Sequence, residues 1–262
     1  MLTNKYQLEI AMKQSALDSN CSADDFLGHA NKVVISKNNI KARKYLELPF
    51  YCDLTTYGNC IVASVSNELV DIVNNYINSY PVEHCLETPN ILILQEKLKM
   101  YDLNTCFMAE YFLPDLDIIK PLSCDYEIKK LIPTDFQNYY LPEWKNALCE
   151  KRKTLDILAV AAYDKNKIIG MAGCSADCDS MWQIGVDVLP EYRRKGIAAS
   201  LTSILATEII KKNKVPFYCC AWSNIKSAKN AIKSGFRPAW VQLTVKENSF
   251  IEELNKPLLK NG

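Results

Sequence analysis

The chain lacks an excess of charge of either sign and has no long apolar segment. Its 31 lysines and arginines are balanced by 30 aspartates and glutamates, so it has no global field of the kind that attracts nucleic acid or an anionic membrane surface. The longest uninterrupted apolar run is Ile157 to Tyr163, far shorter than the ~20 residues that span a bilayer as a helix. We therefore expect a soluble, cytosolic protein with no nucleic-acid and no membrane partner.

Metal-ligand and disulfide patterns are also missing. The sequence has 11 cysteines but no CxxC motif, and only two histidines, His29 and His84. An odd number of cysteines in a chain of 262 residues without a preceding secretory signal disfavours a disulfide scaffold. No spacing of cysteine and histidine matches a zinc site. We therefore expect reduced thiols and no metal.

The first part of the chain alternates loosely between helical and strand patterns. Helical spacing runs from Leu8 to Ala16, and a proline-framed stretch without a clean period lies between Pro114 and Pro121. We place a domain boundary in that stretch, which gives an N-terminal α/β domain of residues 1–120 and a second domain of residues 121–262. Within the first domain the periodicity predicts strands at 32–36, 60–65 and 106–113 and helices at 68–77 and 91–100.

From Tyr126 onward the pattern is more regular and is typical of an α/β or α+β layer. A turn around residues 164–166 predicts a hairpin between the second and third strands of this part. The fourth strand leads almost directly into an amphipathic helix. The predicted strands cover residues 126–131, 157–163, 167–175, 181–188, 217–222, 236–240 and 241–246, and the predicted helices cover 197–212 and 225–234.

The loop between that fourth strand and its helix is basic. Arg193, Arg194 and Lys195 precede Gly196, which opens the helix. A helix start offers unpaired backbone N–H groups and a partial positive charge, and a glycine lets a phosphate approach the backbone. The loop is neither a Walker P-loop, since no GK[ST] closes it, nor a dinucleotide fingerprint, since GxGxxG is absent. The pattern favours an anion site, and a solvated basic turn is the alternative.

The run VLPEYRRKGIA resembles the acyl-CoA-binding motif of the GNAT acetyltransferase superfamily, with Arg193, Gly196 and Ala198 at the motif positions. A second block, Asn224 to Ala228 followed by Gly235 and Phe236, resembles the next motif of that family, in which an Asn opens a helix that ends in Gly-Phe. The resemblance covers about residues 126–246. It implies an α/β (α+β) fold with a mixed central sheet flanked by helices, preceded by the smaller α/β N-terminal domain.

The resemblance also implies a site for acetyl-CoA as co-substrate, wedged where the sheet opens between the strands at 181–188 and 217–222. The pyrophosphate would meet the backbone amides of residues 194–198, and the pantetheine arm would pair with the backbone of the first strand. Asn224 would reach the same arm, and a role as N-cap of its helix fits its position equally well. The implied cofactor-binding residues are Val186, Val188, Arg193, Arg194, Lys195, Gly196, Ile197, Ala198, Asn224 and Ser227.

The catalytic groups are less clear, because Gln183 stands where many family members have a Glu base and Ala231 where many have a Tyr acid. Asp187 lies on the same strand face as Gln183, and we predict that Asp187 is the base. The alternative is that Asp187 is a strand-end residue that caps the following turn. Tyr218 is the predicted acid, although an aromatic in an apolar strand also fits a core position.

Two other candidates have stronger structural explanations. Glu143 lies where the family builds its acceptor wall, and an exposed carboxylate at a helix start explains it as well. The adjacent Cys219 and Cys220 are better explained as inert core thiols than as nucleophiles, because no histidine is near in sequence.

Three functions follow from these features. The first is an N-acetyltransferase in which a primary amine of a small molecule or peptide attacks acetyl-CoA directly in a ternary complex. The second is a sensor or partner-binding module that keeps CoA and has lost turnover, a possibility that rests on Gln183 and Ala231. The third is acylation of a hydroxyl. The N-terminal domain is either a degenerate copy of the same fold or a cap over the acceptor site. The oligomeric state stays open.

Overall fold

A computed structural model describes residues 2–256 of the chain. The chain divides into two compact units, each of which is built from separate stretches of sequence. Unit 1 comprises Met1–Gln14, Arg43–Tyr45 and Glu110–Ala239, and unit 2 comprises Ser15–Ala42, Leu46–Ala109 and Trp240–Gly262.

Unit 1 contains a mixed sheet. Within it the strands follow the spatial order β4-β9-β8-β7-β6-β5, and β8 and β9 are parallel while β5 to β8 are joined by antiparallel pairs. Helix α5 packs on one face over a large apolar core that contains Ile184, Leu201 and Tyr218. The elements are β4 Leu103–Pro114, β5 Glu127–Leu131, α4 Pro133–Phe136, β6 Asp156–Asp164, β7 Lys167–Ser175, β8 Met181–Val188, α5 Ile197–Lys211, β9 Val215–Ala221 and α6 Ile225–Lys233.

Unit 2 is also α/β and has its own apolar core, which includes Leu54, Val73 and Leu94. Strand β3 lies between β1, with which it pairs in parallel, and β2, with which it pairs antiparallel. Strand β10 then pairs antiparallel with β2 through residues 241–244. The elements are β1 Lys32–Ile35, β2 Cys52–Thr56, β3 Ile61–Val65, α2 Val70–Ile77, α3 Asn90–Leu98, β10 Phe236–Glu247 from Trp240 onward, and α7 Asn248–Leu254. Helix α1, Asn4–Ser19, belongs to unit 1 as far as Gln14 and to unit 2 from Ser15.

The predicted fold class is confirmed, and most predicted elements lie within a few residues of their observed bounds. The observed elements differ from the predicted ones in two places. The strands predicted at 236–240 and 241–246 form one continuous strand, β10. Strand β2 was not predicted because its sequence, CDLTT, is polar, and yet all five residues are buried. The Asp53 carboxylate there accepts hydrogen bonds from Gln242 Nε2 at 2.8 Å and Thr244 Oγ1 at 3.0 Å, contacts that a local pattern does not contain.

The division into units differs from a single cut after residue 120. Residues 43–45 belong to unit 1, where the buried Arg43 guanidinium lies 5.4 Å from the ring centre of Phe217 and Lys44 N donates to Asp177 O at 2.9 Å. Residues after 239 belong to unit 2, where Trp240 stacks on Tyr57 with ring centres 5.5 Å apart. Long-range packing therefore assigns short segments to units that sequence order does not indicate.

Candidate functional site

The sheet of unit 1 opens between β8 and β9. The two strands pair only from Met181 opposite Val215 to Ile184 opposite Tyr218. Beyond Ile184, the edge of β8 that faces β9 has no strand partner among the described residues, while the other edge of β8 stays paired with β7 as far as Val188. The opening predicted at this strand pair is therefore present. Because backbone groups alternate between the two edges of a strand, it is the backbone of Val186 and Val188 that faces the opening, while residues 185 and 187 bond to β7.

The loop after β8 prepares the start of helix α5. Arg194 and Gly196 both have positive φ, 66° and 83°, and Gly196 is the N-cap residue without a side-chain capping bond. A Cβ built on Gly196 would meet only Lys233 Nζ, at 3.9 Å. The first amides of α5 are thus reachable from outside, which is the arrangement that binds a phosphate at a helix N-terminus.

The basic residues of the loop do not all face the same way. Arg193 Nε donates to Val188 O at 2.9 Å, which fixes its side chain at the end of β8. Lys195 Nζ instead donates to Tyr126 OH at 3.1 Å and lies 5.1 Å from the ring centre of Tyr192. Among the predicted cofactor-binding residues, Lys195 therefore has its side chain held by tyrosines and does not line either cavity described below.

Two cavities adjoin at this loop. The first, which we name the loop cavity, has a volume of about 680 Å³ and lies between the loop and α6. The second, the strand cleft, has about 580 Å³ and lies between the separated ends of β8 and β9. Their walls share Val188, Arg193, Ala198, Lys226 and Asn230. An elongated ligand with an anionic end and a narrow arm fits this pair of cavities.

The start of α6 forms one wall of the strand cleft. Asn224 Oδ1 accepts a hydrogen bond from Ser227 N at 3.2 Å, so Asn224 is the N-cap of α6, and it also lines the cleft. Tyr218 OH lies 2.7 Å from Ser227 Oγ, and both residues line the cleft. The Tyr218 ring is 5% exposed and packs in the core, and burial raises the pKa of its hydroxyl above the usual value. The two explanations of Tyr218, core residue and proton donor, are thus compatible.

Asp187 is firmly engaged. Its Oδ2 accepts hydrogen bonds from Asn146 N at 2.8 Å and Ala147 N at 3.0 Å, and its Oδ1 accepts one from Asn146 Nδ2 at 2.6 Å. These three bonds direct both carboxylate oxygens to residues 146 and 147. The geometry describes a residue that holds the segment 146–147 against β8, the structural alternative to the predicted base, and the role as base stays a prediction.

Two glycines explain why that segment lies so close to the sheet. Gly173 and Gly185 are opposite each other in the β7–β8 pair. A Cβ on Gly185 would lie 1.7 Å from Asn146 O, and one on Gly173 would lie 2.0 Å from Ala147 O. Only residues without a side chain admit the crossing backbone here. This contact covers one face of β8 beside the strand cleft. No local pattern in the sequence predicts it.

The remaining candidate residues either do not line the strand cleft or have side chains already engaged with other protein groups. Gln183 Nε2 donates to Cys219 Sγ at 3.1 Å, and burial raises the pKa of the Cys219 thiol to about 11, which keeps it protonated at neutral pH. Ala231 is fully buried in the core. Glu143 is exposed and does not line the strand cleft. Among residues 2–256, Asp187 is the only carboxylate on the walls of the strand cleft.

The described residues contain no group of three or more His, Cys, Asp or Glu side chains that could hold a metal ion. All 11 cysteines are free thiols. Across residues 2–256, helices that combine the length and the apolar character needed to cross a membrane are absent.

A mixed sheet that separates at one strand pair, in front of an open and cation-flanked helix start, is the architecture of an acetyltransferase fold. A comparison with protein families matches residues 93–239, more than half of the 262-residue chain, to the family described as GNAT acetyltransferase. The chain belongs to this family, as the two sequence motifs predicted.

The chain is similar to several solved structures. One, from Novosphingobium aromaticivorans, is described as an acetyltransferase from the GNAT family and has 17% sequence identity to this chain. The match covers 55% of this chain and 66% of that chain, with a TM-score of 0.42. A GCN5-related N-acetyltransferase-like protein from Streptococcus suis has 17% sequence identity to this chain. The match covers 61% of this chain and 69% of that chain, with a TM-score of 0.44. An aminoglycoside N-acetyltransferase in complex with CoA has 18% sequence identity to this chain. The match covers 46% of this chain and 93% of that chain, with a TM-score of 0.36. The chain thus spans slightly less than two thirds of the first of these structures. No curated protein matches the sequence.

One group of residues on the cavity walls was not predicted. Lys226, Lys229 and Lys233, together with Asn230, extend from α6 into the loop cavity. The signal was present in the sequence, since lysines three and four positions apart in a predicted helix share one face.

Proposed function

We propose that the protein is an acetyltransferase that uses acetyl-CoA and transfers its acetyl group to a primary amine of a small molecule or peptide by direct attack in a ternary complex. The observation that carries this proposal is the continuity of the strand cleft with the loop cavity, which ends at the uncapped start of α5. Family membership supports the reaction class.

The donor fits the residues that are present. The amides at the start of α5 would bind the pyrophosphate, aided by Arg194, because Gly196 leaves the backbone open. The described residues that line the loop cavity include no carboxylate that would repel it. The free edge of β8 at Val186 and Val188 would pair with the amide groups of the pantetheine arm. Bound acetyl-CoA supplies a thioester whose carbonyl carbon the amine attacks, with CoA thiolate as the leaving group.

Tyr218 is the proposed proton donor for the departing thiolate. Its hydroxyl reaches the wall of the strand cleft beside Ser227, and burial raises its pKa, so it stays protonated at neutral pH. A protonated hydroxyl at that point donates to sulfur without any change of charge in the resting protein.

The proposed role of Asp187 is to position the wall formed by residues 146–147, since its carboxylate is directed to Asn146 and Ala147 by three hydrogen bonds. Since the described part of the chain places no other carboxylate on the walls of the strand cleft, the amine itself must arrive uncharged or lose its proton to water. The same observation favours a second candidate function, a CoA-binding sensor with little turnover.

Calorimetry with CoA, followed by turnover of acetyl-CoA with a broad panel of amines, tests the proposal. Because the chain carries 11 free thiols, released CoA should be quantified by chromatography rather than with a thiol reagent. We expect CoA binding and amine-dependent CoA release. Binding without release for any amine would favour the sensor, and absence of CoA binding would exclude both functions.

A further inference from the structure

A third cavity lies in unit 2 and has no part in the proposed function. It has a volume of about 560 Å³, within the range of small-molecule sites, and we name it the unit 2 cavity. All of its lining residues belong to unit 2. The loop cavity and the strand cleft share no lining residue with it, so the unit 2 cavity is a separate feature of the protein.

The unit 2 cavity lies where three strands of its sheet end. Strands β1 and β3 are parallel, and β10 runs in the same direction because β3 and β10 are both antiparallel to β2. The cavity is lined by Ile35 at the end of β1, by Ser66 directly after β3, and by residues 245–247 at the end of β10. Open α/β sheets bind ligands in crevices at the carboxyl ends of their strands. The unit 2 cavity occupies that position in its own sheet.

The walls of the cavity carry more negative than positive charge. Three carboxylates of the described residues line it, those of Glu47, Glu68 and Glu247. Lys246 is the single cation on these walls, so two negative charges are left uncompensated. Lys246 pairs with Glu47, and its ammonium group lies 5.4 Å from the ring centre of Phe250. Within residues 2–256, neither Glu68 nor Glu247 has an ion-pair partner.

These two carboxylates lie around one aromatic side chain. Tyr51 OH donates a hydrogen bond to Glu247 Oε1. The pKa of the Tyr51 hydroxyl is raised by this hydrogen bond, by burial, and by the charges of Glu247 and Glu68. A cation beside the Tyr51 ring would therefore be attracted by both carboxylates and by the face of the ring.

A buried hydroxyl on the same wall also lacks a partner. Ser66 is at the N-cap position of the short 3₁₀ helix Asn67–Leu69, with φ of −71° and ψ of 158°, but its side chain makes no capping bond. Its Oγ is buried and has no hydrogen-bond partner among residues 2–256. Buried polar groups are nearly always hydrogen-bonded in folded proteins. An N–H group of a ligand would satisfy this hydroxyl, an argument that is independent of the charge on the walls.

The residues of the cavity favour an organic cation over a metal ion. In the part of the chain that the structure describes, no three Asp, Glu, His or Cys side chains lie close enough together to hold a metal ion. The walls instead combine carboxylates with apolar surface from Leu48, Pro49 and Val245. Such a wall suits a carbon chain that carries ammonium groups, because the chain meets the apolar surface and the ammonium groups meet the carboxylates.

We propose that the unit 2 cavity binds a linear organic diamine, with one ammonium group at Glu68 and the other at Glu247. Two positive charges compensate the two unpaired carboxylates, and an N–H group reaches the hydroxyl of Ser66. The proposal goes beyond the proposed function, because it adds a second ligand at a site that shares no residue with the two cavities assigned to CoA.

The test is calorimetric titration of the whole protein, without acetyl-CoA, with 1,4-diaminobutane, 1-aminobutane and 1,4-butanediol. Both amines are charged at neutral pH. A charge-assisted contact at each end predicts that the diamine binds about 10-fold more tightly than the monoamine and that the diol does not bind. In the double variant Glu68→Gln/Glu247→Gln we expect the Kd of the diamine to rise about 30-fold. Ser66→Ala should raise it about 3-fold.

The matched control is Glu83→Gln/Glu96→Gln, which removes two exposed carboxylates of unit 2 that do not line the cavity and should leave the Kd of the diamine unchanged. No binding of the diamine, or equal Kd values in the Glu68/Glu247 variant and the unmodified protein, would overturn the proposal. Tighter binding of Mg²⁺ than of the diamine, lost in the same variant, would also overturn it in favour of a metal site. The Kd of CoA is measured separately, and its absence would overturn the proposed function without affecting this proposal.

Discussion

The loop cavity and the strand cleft adjoin, yet their polar groups are in opposite states. The walls that the described residues give the loop cavity carry five cations and no carboxylate, and its helix start has no side-chain capping bond. Apart from the cations Arg193 and Lys226, which line both cavities, the strand cleft has polar side chains with partners within the protein: Asp187 binds residues 146–147 and Tyr218 meets Ser227. Gln183, on the same strand as Asp187, donates to Cys219. The loop cavity therefore offers unpaired charge to an anionic ligand, whereas most polar side chains of the strand cleft already have hydrogen-bond partners in the protein.

This difference indicates where the protein places its binding free energy and where it places its chemistry. A thioester is already activated, so a site that aligns an amine with it gains rate from positioning without a strong base. The anchoring of the donor by its phosphates then determines affinity. The predictions below test each side of this comparison, from the largest expected effect to the smallest.

Gly185→Ala should damage the strand cleft most. The added Cβ would lie 1.7 Å from Asn146 O, a backbone atom that cannot move alone because Asp187 holds its residue. We expect the free energy of unfolding, measured in urea, to fall by about 3 kcal/mol, at the upper end for an overpacked site. Gly28→Ala, whose nearest neighbour would be an ordinary contact at 3.7 Å, is the control. A loss below about 1 kcal/mol would show that residues 146–147 do not pack on β8.

Gly196→Asp should abolish most of the affinity of the loop cavity for CoA. The new carboxylate would sit at a position with φ of 83° and repel the pyrophosphate. We expect the Kd of CoA to rise about 100-fold, or about 2.7 kcal/mol. Gly58→Asp introduces the same side chain at φ of 105° with nothing within 4 Å, in unit 2, and should leave the Kd unchanged. Equal affinities in the Gly196 variant and the unmodified protein would exclude an anion site at this loop.

The same contrast explains what the sequence could predict. The strand, basic loop and helix from Met181 to Lys211 depend on residues that are neighbours in the chain, and β8 has the bounds that its periodicity predicts. The face of α6 that carries Lys226, Lys229 and Lys233 could equally have been predicted, because the spacing of these lysines is local. Anion binding at a helix start needs only such local features.

The strand cleft depends on contacts that are distant in sequence. Asp187 meets Asn146, which lies 41 residues earlier, and the buried Asp53 of the polar strand β2 meets Gln242, 189 residues later. No period or motif in either segment indicates that these contacts form. Period-two alternation correctly placed Gln183 and Asp187 on one face of β8, but it could not show that residues 146–147 occupy that face.

The pH dependence of turnover tests the lack of a free base in the strand cleft. If the amine must be neutral before it binds, kcat/KM for an alkylamine with a pKa of about 10.4 should rise tenfold per pH unit, or about 30-fold from pH 7.5 to 9. A base that ionises below pH 7 would accept the proton from a bound ammonium group and give a flat profile over this range.

Asp187→Asn separates the two roles of that residue. If Asp187 positions residues 146–147, the variant keeps the slope of the profile and loses activity by a similar factor at each pH, because one hydrogen-bond acceptor is replaced by a donor. A flat profile in the unmodified protein that becomes sloped in the variant would identify Asp187 as the base.

Tyr218→Phe should have the smallest effect, about 10-fold in kcat, because a thiol of pKa about 8.5 leaves readily even without a proton donor. The variant keeps the ring contacts with Phe112 and Phe236, and the Kd of CoA should change less than about 2-fold. Tyr76→Phe, which removes a buried hydroxyl bonded to Cys85 O at 2.7 Å in unit 2, controls for stability alone. An unchanged kcat in the Tyr218 variant would mean that the proton comes from solvent, and the strand cleft would then contribute only shape to the reaction.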